Sequence, residues 1–158
     1  MPTDAEHLIH GNHNIDFLSY IYPQQDFNDW IVTAAFYSSV HIIECVVFKR
    51  KRVIYRGKAL QVAHPKEFFI QIKTSGLPFP NYCKSKSDHA ARLLIVYLNY
   101  PEVSAQYKRL YNASETARYR QYIWNRRIAE GMVTTNLQTI ITWCNKKFST
   151  AFKNPSLN

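Results

Sequence analysis

Two residue pairs in this chain have the types and spacing for proton and phosphate chemistry. His89 and Arg92 stand three residues apart, as do His41 and Glu44, so each pair shares a face of any helix that contains it. Arg118, further along, is a fifth candidate. Histidine moves a proton near neutral pH, and the planar fork of arginine matches the charge that gathers on a phosphate. Together these residues hold the parts for metal-free RNA cleavage. His41 or His89 would take the proton of a 2′-hydroxyl, Arg92 with Arg118 would neutralise the phosphate, and the product would end in a cyclic phosphate. The same five residues also fit a buried structural network, in which Glu44 pairs with Arg92 or Arg118 and a histidine bonds across helices. Both readings stand at this stage.

Other chemistry has little support in the sequence. There is no Gly-rich phosphate loop, no Cys-x-x-Cys and no His-Glu-x-x-His. His7, His10 and His13 are spaced three apart, but Gly11 and Asn12 interrupt helical character there, so residues 1–13 read as a flexible, solvated tail. No metal and no cofactor is expected. Cys45, Cys83 and Cys144 are an odd, widely separated set, which reads as reduced thiols in a cytoplasmic protein. No basic-then-apolar leader opens the chain and no run looks long enough to span a membrane, so a membrane partner is not expected.

The elements that must position these residues read as helices. A short one is expected over residues 15–22, ended by Pro23, and a long one over residues 26–50, which contain neither proline nor glycine. In the long helix Trp30, Ala34, Tyr37, His41, Glu44 and Phe48 form one stripe, while Ile31, Ala35, Ile42 and Val46 cover another side. This helix should therefore be central, and the polar His41 and Glu44 on it must find partners. Residues 53–86, punctuated by Gly57, Pro65, Gly76, Pro78 and Pro80, read as a long irregular insertion, with room for a hairpin at Arg56 and Gly57 or a short helix over residues 66–72. Ser87 caps the next helix, Pro101 opens another, and Val103, Tyr107, Leu110, Ser114 and Ala117 give it a seam. A last helix over residues 127–147, with Gly131 as its weak point, precedes a tail, residues 153–158, that should fray.

At 158 residues, 46% of them hydrophobic, the chain fits one packed domain. Lysine and arginine total 20 against 11 acidic residues, a formal charge of +9, which favours polyanionic partners. Lys49, Arg50, Lys51 and Arg52 form the densest cluster, with Arg120, Arg126 and Arg127 in a second. The first cluster reads first as a solvated helix end whose cations face the last carbonyls.

The spaced set Asn14, Asp29 and Trp30, Phe36 and Tyr37, His41, His89 and Arg92, Tyr107, Leu110 and Ser114, and Ala117 to Tyr119 resembles small prokaryotic HEPN proteins. The resemblance runs discontinuously over residues 14–119 and leaves residues 53–86 outside. It implies an all-α antiparallel bundle of four to five helices over residues 14–152, a homodimer, and a composite site between protomers. It also implies an RNA or nucleotide partner and, for many members, metal-independent ribonuclease activity in toxin–antitoxin or defence systems, with an antitoxin or operon partner. The ribonuclease hallmark of that family, an arginine followed after four to six residues by a histidine, is absent, and here His89 precedes Arg92. The alternative is a non-catalytic nucleotide-, RNA- or protein-binding module, so whether the chain is an enzyme stays open.

Overall fold

The computed structural model describes residues 3–24, 26–80, 87–120 and 124–157, and the protein is mostly helical. In chain order the elements are α1 (Asp4–Ile21), α2 (Asn28–Arg50), β1 (Arg52–Tyr55), β2 (Lys58–Gln61), α3 (Pro65–Thr74), α4 (Asp88–Asn99), α5 (Pro101–Tyr119), α6 (Arg126–Gly131) and α7 (Gln138–Phe148). A π-helical stretch, Met132–Leu137, joins α6 to α7. Ile31, Val32, Ala35, Phe36, Ile42, Ile43 and Val46 bury α2 on several sides. A helix without a polar face has to be surrounded, and α2 packs against α1, α4, α5, α6, α7 and β1. The stripe read from the sequence departs from this at its start, where Trp30 is exposed. Contrary to the sequence reading, α2 is long and apolar enough to cross a membrane by length and composition. Yet 89% of its most apolar stretch is buried inside the fold.

Over residues 3–13 the flexible tail expected from the sequence is corrected. The helix starts at Asp4, where the Thr3 hydroxyl accepts from the Glu6 amide at 3.2 Å and the Thr3 amide donates to the Glu6 carboxylate at 2.6 Å. This reciprocal capping box satisfies two amides that would otherwise lack partners. Gly11 lies inside the helix, and its missing side chain lets a ring lie against it: a Cβ there would stand 2.5 Å from Phe152 Cε1. The tail after Phe152 is also held. The Lys153 amide donates to Asn12 Oδ1 at 2.8 Å, the Ser156 amide donates to Ser19 Oγ at 3.0 Å, and Pro155 is buried.

Residues 53–80 are regular and not the irregular insertion expected, and the hairpin and the short helix given as alternatives there both form. β1 and β2 form an antiparallel hairpin with Val53 opposite Leu60, turning at Arg56 and Gly57, both at positive φ (48° and 78°), as a tight hairpin turn requires. Val53, Tyr55 and Leu60 join Phe68, Phe69 and Ile72 of α3 in the common core. His64 precedes Pro65 and caps α3, its Nδ1 accepting from the Lys66 amide at 3.1 Å. Cys83 lies outside the described residues, while Cys45 and Cys144 are buried free thiols.

Ser87 Oγ accepts from the Ala90 amide at 3.2 Å, as expected for the cap of α4. Every seam residue of α5, from Val103 to Ala117, is buried. The expected last helix is interrupted by the π stretch, where Asn136 Nδ2 donates to the Gly131 carbonyl at 3.1 Å, five residues back. Gln121, Tyr122 and Ile123 lie outside the described residues.

A candidate functional site around a buried carboxylate

Glu44, in the C-terminal third of α2 and 4% exposed, is the hub of the site. A carboxylate drawn inward by the apolar faces beside it needs partners, and they come from three other elements. Arg92 Nε of α4 donates to Glu44 Oε1 at 2.6 Å. His7 Nδ1 of α1 lies 3.2 Å from Glu44 Oε2, and His64 Nε2, just before α3, lies 3.8 Å from Oε1. His41, one turn before Glu44, places its Nδ1 3.1 Å from His7 Nδ1. Arg92 Nη1 also donates to His89 Nδ1 at 3.1 Å, so in the neutral imidazole the ring proton sits on Nε2.

Arg118 belongs to a second group that touches the first. Its guanidinium donates to the Tyr37 hydroxyl at 3.0 Å and pairs with Glu115 at 2.8 Å, while its Nε donates to the Ser114 carbonyl at 3.2 Å. It stands over the rings of Phe36 and Tyr37, and His89 packs against those same rings. The five residues singled out in the sequence thus line up from α2 through α4 to α5. Glu44, Arg92 and His89 touch directly, His41 joins through His7, and Arg118 joins through the aromatic pair.

Electrostatics decide what this group can do. Burial lowers the pKa of His41 to about 4, against a weaker opposing pull from Glu44. Burial likewise lowers His7 and His64, again against Glu44. His89 is lowered by burial first and then by the cations Arg92 and Arg118. Their lowered pKa values favour the neutral imidazoles, so the 3.2 Å approach of His7 Nδ1 to Glu44 Oε2 does not require a charged histidine. Neutral imidazoles can accept a proton or bind a metal ion. Arg92 is 8% exposed and committed to Glu44, so it is not turned toward a phosphate from solvent.

The sequence reading sets His7 aside with a solvated tail and does not count His64 among the site residues. The signal for His7 was present in Thr3 and Glu6, spaced as a capping box, which would have started the helix early enough to carry His7 inward. Nothing local marks His64.

The basic residues divide. Lys49 Nζ donates to the Phe148 carbonyl at 2.7 Å, and Arg50 lies 5.3 Å over the Phe148 ring, so both close the C-terminal end of α7. Lys51 is the left-handed C-cap of α2 and Arg52 begins β1, both exposed. Arg126 donates to the Tyr22 carbonyl and lies 4.0 Å over the Tyr22 ring, pinning α6 to the end of α1. Arg127 is exposed. Arg120 lines an open groove of about 610 Å³ on the outer side of α5 with Tyr111, Asn112, Glu115, Thr116 and Tyr119.

Fold and site define a mostly helical protein organised around a buried carboxylate with histidine and arginine partners. No protein-family model, no curated protein and no solved structure matches this chain.

Proposed function

We propose that this chain is a HEPN-like, nucleic-acid-associated protein: an antiparallel bundle of four to five helices, homodimeric and cytoplasmic, that binds RNA or a nucleotide as a non-catalytic module. The α5 groove carries this reading. Tyr119, 73% exposed, and Tyr111 border it beside the exposed Arg120, and two aromatic faces with a guanidinium suit stacking of unpaired bases. The charge of +9 supplies long-range attraction for such a ligand. The commitment of buried Arg92 to Glu44 supports a module over a nuclease, because the cation that cleavage would use on the phosphate is already neutralised. Fluorescence anisotropy with labelled single-stranded RNA tests it. Tyr119→Ala should weaken binding by about 1–3 kcal/mol, the worth of one stacked base. Equal affinity in wild type and variant would remove the groove from the argument.

The second reading, a metal-independent ribonuclease of a toxin–antitoxin or defence system with an antitoxin or operon partner, draws on His89 bonded to Arg92 beside the Arg118 cluster. Cleavage of mixed RNA in the presence of a chelator, lost in His89→Ala, would replace the module with the enzyme.

A further inference from the structure

Three donor atoms from two helices meet in the interior. His7 Nδ1 of α1 lies 3.1 Å from His41 Nδ1 and 3.2 Å from Glu44 Oε2, and the donors of all three residues fall within 4.8 Å of one another. We infer that His7, His41 and Glu44 form a binding site for a divalent transition-metal ion of the zinc class. The inference is independent of the RNA-binding reading.

The spacing fits. Ligand atoms bound at about 2.0–2.1 Å around a tetrahedral ion sit about 3.3 Å apart, close to the two distances that converge on His7 Nδ1. Proton sharing serves the same cluster less well. His7 Nδ1 carries at most one hydrogen and faces two neighbours, each able to accept it, so one proton meets only part of the demand. A cation held among the three donors meets all three lone pairs at once. Two imidazoles and one carboxylate form a borderline donor set that suits zinc and its neighbours better than the all-oxygen cations calcium and magnesium.

The surroundings also suit an ion. Arg92 Nε holds Glu44 Oε1 and leaves Oε2 toward the histidines, so the carboxylate is oriented by a partner outside the coordination sphere, as is usual at metal centres. His7 and Glu44 are buried while His41 is half-buried, which puts access on the His41 side. His10, one turn past His7, packs edge-on against the His41 ring at 5.4 Å between centroids. The capping box at Thr3 and the close packing of Gly11 on Phe152 hold α1 in register, so His7 comes from a rigid helix.

The test uses the full chain, freed of metal by a chelator and titrated with Zn²⁺ in competition with a chromophoric chelator. Wild type should bind one equivalent, and Co²⁺ in its place should give the intense visible bands of a tetrahedral ion. His7→Ala and His41→Ala should each lose at least about tenfold in affinity, the loss that an outer-shell change alone already produces. His13→Ala, exposed on the same helix, should bind as wild type does. Circular dichroism checks folding, and if buried His7 is needed for it, the half-buried His41→Ala and the wild-type Co²⁺ spectrum decide. Absence of saturable Zn²⁺ binding at micromolar metal overturns the site. So does binding that survives His41→Ala and is lost in His10→Ala and His13→Ala together, which would mark chelation by surface histidines.

Discussion

At Glu44 and Arg92 two opposite charges are closed off from water, one 4% and the other 8% exposed, and each depends on the other for its solvation. Removing one partner of such a pair leaves an uncompensated buried charge, at a loss of about 3–5 kcal/mol, whereas replacing both by apolar groups is often neutral or better. Arg92→Ala should therefore lower stability by about that amount in chemical denaturation. The double change Glu44→Leu with Arg92→Met should recover most of it. A single variant as stable as wild type would mean that the pair is solvated. The histidines make a second prediction. Burial lowers His41 to about 4 from 6.5, and His7, His64 and His89 move in the same direction. Below 6.5 the unfolded chain takes up protons that the folded protein refuses, so the unfolded state binds more of them and gains as pH falls. In the metal-free protein the urea midpoint should be flat above 6.5 and drop between there and about 4. His89→Gln should make that drop shallower.

Among the helices, glycine has opposite meanings at two positions. Gly131, at φ −62° and ψ −31° where α6 passes into the π stretch, has nothing within 4 Å of an added Cβ. Gly131→Ala should raise stability by about 0.5–1 kcal/mol through helix propensity alone. Gly11→Ala brings the same intrinsic gain but drives a methyl into the Phe152 ring, and overpacking costs about 1–3 kcal/mol. The ring should leave, and the amides of residues 151–157 should exchange faster with solvent, which hydrogen-exchange mass spectrometry would show. Unchanged exchange there would mean that the close approach of Gly11 does not hold the tail.

Over the whole molecule the charge of +9 makes RNA affinity a function of salt, with a slope of about 0.7 in log units for each phosphate contacted on a single strand. Lys49 and Arg50 are tied to the end of α7, so charge reversal is cleaner at Lys51 and Arg52. Lys51→Glu with Arg52→Glu should flatten the slope if these cations meet the backbone, and a slope unchanged from wild type would leave them as a solvated helix end. The proposed homodimer is tested by light scattering at micromolar concentration. Exposed Phe17, Tyr20, Phe27 and Trp30 sit where α1 turns into α2 and are apolar surface available for it.

The sequence by itself determined the helical class, the central place of α2, the Ser87 cap, the Pro101 start and the buried seam of α5, because these follow from periodicity and local hydrogen bonding within a few residues. It also picked out Glu44, His41, His89, Arg92 and Arg118, since polar groups on inward faces must converge on something. Only the tertiary structure decided that Arg92 is the partner of Glu44 and that Arg118 turns instead to Tyr37 and Glu115. It alone set the first helix against residues 151–156, because the glycine that weakens α1 locally is the one that admits Phe152 from the far end of the chain. For the same reason it alone brought His7 and His64 to Glu44: 37 and 20 residues separate them from it in sequence, and contacts at that range depend on how helices pack.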